Sequence, residues 1–303
     1  MQSIRNFESL LGHLADAPRR RVAVACPHDS HTVEAIEAAL AEGFADFIFF
    51  GKGDIIKALP LMDTYADRVE LVEIDDTDEA ARAAVEAVRL GQADVLMKGM
   101  LNTDNLLRAV LNKEHGILPQ GNVLTHITAT EIPGHDKLLF FTDAAVIPFP
   151  TLAQRIAMVK GIAGVCHAFG IATPKVALIH CTEKTSPKFP ITIDYTELKR
   201  MAAEGEFGNA IVDGPMDVKV ACDPHAGAVK GIESPIGGEA DALIMPDIES
   251  GNVFYKTITC FAHSLNAGML VGTSAPVVLP SRGDSTRSKL CSLAMACLTA
   301  ANR

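Results

Sequence analysis

Short apolar runs alternate with longer amphipathic stretches along almost the whole chain. The runs fall at 22–26 (Val-Ala-Val-Ala-Cys), 46–50, 69–74, 94–97, 138–141, 176–179, 210–212, 242–245 and 276–279. Runs this short, bounded by polar, Gly or Pro residues, predict buried strands rather than helices. Residues 31–42, 77–90, 102–112, 151–169, 195–204 and 252–266 predict helices between them, and a last helical stretch follows Ser285 with Leu290, Leu293, Ala294 and Cys297 on one stripe. Thr77-Asp78-Glu79 opens one helix with acid in its first turn, and Gly91 and Gly170 stand where two others end. Alternation of this kind predicts an α/β fold, with a mostly parallel sheet and helices on both faces. The section 113–137, with Gly116, Pro119, Gly121, Pro133 and Gly134, reads as irregular, and a boundary is placed after it. The expected domains are 1–137 with 280–303, and 138–279. The last helix returns to the first domain because its apolar stripe needs a partner.

A length of 303 residues suffices for two ordinary cores. The net charge is −10, no cationic run exceeds Arg19-Arg20-Arg21, and aromatic residues are 5% with no Trp. These features argue against nucleic acid as a partner. The seven Cys form no CxxC and no Cys/His zinc spacing, which points to a reduced chain without a disulfide framework or a metal site. His28 and His31 are close but have no Cys cluster with them. No signal-peptide core and no apolar run of membrane length is present, so a cytoplasmic protein with no membrane partner is expected.

Polar residues collect where the strands end, the side on which open α/β sheets bind ligands. They are Lys98-Gly99-Met100-Leu101-Asn102-Thr103, Thr142-Asp143, Asp213-Gly214-Pro215, Pro246-Asp247 with Glu249-Ser250-Gly251-Asn252, and Ser281-Arg282-Gly283-Asp284-Ser285. The last of these follows a strand, contains glycine and opens a helix, which outlines an anion site. Arg282 adds a fork-shaped cation suited to phosphate. In so acidic a chain an anionic substrate depends on such local cations. Each group also has a plain reading. Asp-Gly-Pro makes a turn, Thr142-Asp143 and Asn252 cap helices or loops, and Lys98 snorkels beside a turn glycine. Tyr255 and Lys256 lie on a helix surface, and Arg282 pairs with Asp284. Gly51-Lys52-Gly53 is neither a P-loop nor GxGxxG. Without a GxSxG elbow, Ser281 is not a hydrolase nucleophile. Cys26, His180 and His263 read as packing or surface residues.

Taken together, these motifs resemble the phosphate acetyl/butyryl transferases. The likeness covers about residues 90–300 and is weaker towards the N-terminus. It is carried by Met97-Lys98-Gly99 with Asn102-Thr103, by Thr142-Asp143-Ala144-Ala145-Val146 followed by Pro148 and Pro150, and by Asp213-Gly214-Pro215. The run from Ala240 to Lys256 and Pro276-Val277-Val278 with Ser281–Ser285 complete it. Phe261-Ala262-His263 and Asp284-Ser285 look more like the butyryl branch. The resemblance implies two doubly wound α/β domains with a central cleft, isocitrate/isopropylmalate dehydrogenase-like. It implies acyl-CoA + phosphate ⇌ acyl phosphate + CoA, with CoA and phosphate as substrates, no bound metal or redox cofactor, and a homodimer or larger homo-oligomer. It points to Ser281 and Arg282 for catalysis, and Asp284 joins them as the candidate base because it is the carboxylate nearest to Arg282 in the sequence. The resemblance assigns substrate binding to Lys98, Gly99, Asn102, Thr103, Thr142, Asp143, Asn252, Tyr255, Lys256 and Ser285.

Two positions depart from the pattern. The acetyl branch has an aspartate six positions after the motif arginine, proposed as base for the CoA thiol; Ser288 stands there, and the nearest carboxylate is Asp284. Lys219 stands six after Asp213, where the family usually has aspartate. These departures support an alternative, a non-catalytic protein binding CoA or acyl phosphate. A decarboxylating hydroxy-acid dehydrogenase is a further alternative, for which neither a metal-binding carboxylate motif nor a nicotinamide motif stands out.

Overall fold

The computed structural model describes residues 3–281 and 283–301. Among these the strands are β1 (Arg20–Ala25), β2 (Ala45–Gly51), β3 (Val69–Glu73), β4 (Val95–Lys98), β5 (Thr125–Glu131), β6 (Leu139–Thr142), β7 (Lys175–Ile179), β8 (Ile211–Met216), β9 (Ala242–Ile244), β10 (Leu265–Val271) and β11 (Val277–Val278). The fold is mixed α/β. Most strand residues are buried on both sides, which is why they read as unbroken apolar runs. Among the described residues no helix is long and apolar enough to cross a membrane.

The chain divides into two compact units, Phe7–Leu124 with Asn266–Arg303, and Met1–Asn6 with Thr125–Leu265. Both divisions lie N-terminal to the expected 137/138 and 279/280.

In the first unit the strand order is β3-β2-β1-β4-β11-β10. All neighbours from β3 to β11 run parallel, and β10 pairs antiparallel with β11. The chain moves outward from β1 to β3 and then returns to β4 on the other side of β1. With right-handed crossovers this reversal sends the connecting helices to opposite faces and opens a crevice at the carboxyl ends of β1 and β4. The helix Ser30–Glu42 packs on Thr286–Ala301, and Thr77–Arg89 packs on Thr103–Val110. Residues 289–299 of the last helix are buried on all sides, well beyond the expected stripe.

In the second unit the order is β5-β6-β9-β7-β8, antiparallel between β5 and β6 and parallel elsewhere. Its core includes Phe141, Ile179, Met216, Leu243 and Ile258. A capping box of Thr151 and Gln154 starts the helix Leu152–Ala168.

Several local expectations are corrected. β5 lies inside 113–137, the section read as irregular. The helix expected at 252–266 is Ile248–Phe261, and β10 takes up the residues after it. Asp213-Gly214-Pro215 is part of β8, not a turn beyond it; Asp213 is buried, ion-paired to Lys199 at 2.5 Å, and accepts from Ser234 at 2.6 Å.

Candidate functional site

At the first unit's crevice the register sets Ala25 opposite Lys98 and Met97 opposite Val278. β1, β4 and β11 therefore end level, and the loops 26–29, 99–102 and 279–285 leave from one rim. The closest approach is at Gly99. Its N–H donates to Ala25 O at 2.8 Å, and Met100 N–H donates to Cys26 O at 2.7 Å. A Cβ on Gly99 would lie 2.2 Å from Cys26 O and 2.7 Å from Ala25 O, both immovable without a backbone shift. Gly99→Ala is expected to cost about 1–3 kcal/mol as an overpacked contact. Urea denaturation reads that loss, and an unshifted midpoint would show that the rim yields freely.

Cys26, directly after β1, has φ +57°, a left-handed conformation that costs a non-glycine residue energy. Burial pushes its thiol up to about 11; Asp76 adds to this and Lys52 opposes it. The thiol is therefore protonated and inert at neutral pH. Burial also lowers the His28 pKa, Asp29 opposing and Lys52 reinforcing, and the buried His28 Nδ1 has no hydrogen-bond partner among the described residues.

Lys98 is buried, and its Nζ donates to the carbonyls of Gly99 at 3.1 Å and Leu101 at 3.2 Å. It thus shapes the loop that leads to Asn102 and Thr103. These two are exposed at the start of Thr103–Val110, and the Asn102 side chain makes no capping bond.

On the third loop, Ser281 N–H donates to Asp284 Oδ2 at 2.7 Å, Asp284 N–H to Ser281 O at 3.2 Å and Gly283 N–H to Ser281 Oγ at 3.4 Å. Ser285 caps the last helix: its Oγ accepts from Ser288 N–H at 3.1 Å. Arg282 lies outside the described residues.

In the second unit, Thr142 and Asp143 at the end of β6 are buried and fully used by the chain itself. Asp143 Oδ1 accepts from the N–H groups of Ala145 at 2.7 Å and Val146 at 2.8 Å. Its Oδ2 accepts from His126 N–H and Thr125 Oγ1, both at 2.9 Å. With its proton on that carboxylate, Thr125 Oγ1 accepts from the Thr142 hydroxyl at 2.8 Å. The pair organises the turn 142–146. The helix Ile248–Phe261 docks on this turn through Gly251, where a Cβ would lie 2.1 Å from Asp143 O.

Asp247, not Asn252, is the N-cap of that helix, accepting from Ser250 N–H at 2.8 Å. Asn252 lies one turn further in and donates to Ala144 O at 3.2 Å. Tyr255 is half-buried near Phe141, and the exposed Lys256 holds its ammonium 4.6 Å from the Tyr255 ring centroid.

The structure thus gathers Lys98, Gly99, Asn102, Thr103, Ser281, Asp284 and Ser285 on the rim of the first unit. It places Thr142, Asp143, Asn252, Tyr255 and Lys256 in the second. The sequence reading missed Asp29 and Lys289, whose ion pair lies beside the first rim. The available signal was a lysine directly before Leu290–Leu298, a stretch too uniformly apolar to be a surface helix.

The family model described as "Phosphate acetyl/butaryl transferase" matches residues 72–297. The chain is 41% identical to the phosphate butyryltransferase of Clostridium acetobutylicum, over 99% of this chain and 100% of that protein. It is 34% identical to the phosphate acetyltransferase of Thermotoga maritima, over 97% and 100%. The crystal structure of a branched-chain phosphotransacylase from Enterococcus faecalis superposes with a TM-score of 0.82 at 32% identity, covering 93% of this chain and 99% of that one. The chain belongs to the phosphate acetyl/butyryl transferase family.

Proposed function

We propose that the protein catalyses acyl-CoA + phosphate ⇌ acyl phosphate + CoA by direct transfer. The observation that carries this reading is the full-length likeness to proteins named for phosphate butyryl and acetyl transfer. The motif residues at the first unit's strand ends add to it. In the CoA-acylating direction a base takes the thiol proton, the thiolate forms the C–S bond at the carbonyl carbon of the acyl phosphate, and the C–O bond to phosphate breaks. Arg282 grips the phosphoryl oxygens in both directions with charge-assisted, bidentate bonds. The Ser281 hydroxyl steadies the oxyanion, a role worth about 2.7–4 kcal/mol per donor.

Asp284 is the base in this reading. One of its oxygens is held by Ser281 N–H, which orients the other. Asn102 and Thr103, presented by the Lys98-braced loop, position phosphate. Asn252, Tyr255, Lys256 and the turn built by Thr142 and Asp143 serve acyl-CoA. Two doubly wound domains about a cleft, isocitrate/isopropylmalate dehydrogenase-like, and a homodimer or larger assembly belong to the same proposal.

CoA release from acetyl-, propionyl- and butyryl-CoA, followed with a thiol reagent, tests it. Release is expected only with phosphate, and the kcat/KM ranking then names the acyl group. A folded protein that binds CoA but releases none would support the non-catalytic alternative.

A further inference from the structure

The loop Ser281–Ser285 is anchored at both feet. Upstream, β11 pairs with β4. Downstream, the Lys289 N–H donates to Ser285 O at 3.0 Å, and the Thr286 hydroxyl reaches Glu34 Oε2 at 2.6 Å. The strongest tie is the Lys289 side chain, which is 3% exposed. Its Nζ donates to Asp29 Oδ1 at 3.2 Å and Thr32 Oγ1 at 3.3 Å. Asp29 in turn caps Ser30–Glu42, accepting from Thr32 N–H at 3.0 Å. Burial pushes the Asp29 carboxyl up, but the bonds from Thr32 and Lys289 outweigh it and hold the group below its ordinary value.

Packing alone does not account for a lysine here. Near the N-terminus of a helix it meets the positive end of the dipole, and a buried ammonium is tolerated only when paired. An apolar side chain of the same length fills the space without either penalty. What the ion pair adds is direction. It joins the first turns of the last helix to the residue that ends the loop after β1, on the same rim.

We propose that Lys289, through Asp29 and Thr32, is a positioning residue: it sets the Ser281–Ser285 loop at the spacing from the β1 rim that phosphate binding requires. The inference rests on the reading of that loop as the phosphate subsite.

The test uses the full-length protein as wild type, Lys289→Met, and the double variant Asp29→Asn/Lys289→Met. Asparagine keeps the cap, and the double leaves no buried charge alone. For each, the urea midpoint and the KM for phosphate and for butyryl-CoA are measured. Lys289→Met is expected to lower the midpoint and to raise the phosphate KM about ten-fold or more, with the butyryl-CoA KM moving less than about two-fold. The double variant is expected to regain the midpoint but keep the raised phosphate KM, and it carries the test if the single variant does not fold. Recovery of midpoint and phosphate KM together would overturn the positioning role, as would equal shifts in both KM values. A wild type without phosphate-dependent release overturns the functional reading and this inference with it; an active wild type with an unmoved phosphate KM in the variants overturns this inference alone.

Discussion

Arg282→Ala is expected to remove most turnover while leaving the protein folded. In the proposed reaction the phosphoryl group carries negative charge throughout, and the chain that must hold it has a net charge of −10. A local guanidinium does what the general field cannot, and its planar fork matches two phosphoryl oxygens at once. Losing one such preorganised donor at the transition state corresponds to about 10²–10³ in kcat. Arg282→Lys keeps the charge but not the fork and is expected to fall between. Steady-state kinetics beside a urea melt separates the loss of chemistry from the loss of fold. Near-wild-type kcat/KM in Arg282→Ala would take the residue out of the mechanism.

Asp143→Ala is expected to be the most destabilising of the substitutions at the motif residues. The carboxylate is 1% exposed and accepts four hydrogen bonds, three from backbone N–H groups and one from Thr125. Alanine leaves those donors facing each other across a space with no acceptor. An unsatisfied buried donor costs about 1–3 kcal/mol, and partial relaxation brings the expected total to roughly 4 kcal/mol. Asp143→Asn keeps the shape but turns one acceptor into a donor, so a smaller loss is expected. Urea denaturation reads both. A loss below about 1 kcal/mol for alanine would mean that water enters the turn and replaces the carboxylate.

The parts of this chain that were legible in its sequence are those where burial is apolar on both sides. β1, β2 and β4 announced themselves because Val22, Phe49 and Leu96 have neighbours as apolar as themselves. β5 did not, because Thr-His-Ile-Thr-Ala-Thr-Glu carries polar atoms inward. Thr125 is buried with its hydroxyl bonded to Thr142 and Asp143, partners distant in sequence that no local pattern shows. β10 was hidden because the expected helix ran on to 266 across the polar pair His263-Ser264, and Asn266 and Gly268 interrupt the apolar run that would have marked the strand. The chemistry of the site was legible as residue types at strand ends, since strand order and register are what bring such ends level. The division of labour among those residues was not. Asp143 reads equally well as a ligand or a brace until its four donors are known, and Lys289 is meaningful only beside Asp29, at the other end of the chain.

The placement of β11 has a consequence for synthesis. β4 leaves the ribosome early, yet one of its two neighbours is β11, and the helix Thr286–Ala301 that covers the same unit follows later still. Between them comes the contiguous stretch Thr125–Leu265, nearly all of the other unit. While that stretch is being made, and can close on itself, the first unit waits with one edge of β4 unpaired and an apolar face uncovered. An open parallel edge beside exposed core is the kind of surface that aggregates. The nascent protein thus passes its most vulnerable interval with the unit built from Thr125–Leu265 already complete and the unit that opens with Phe7–Leu124 still unfinished.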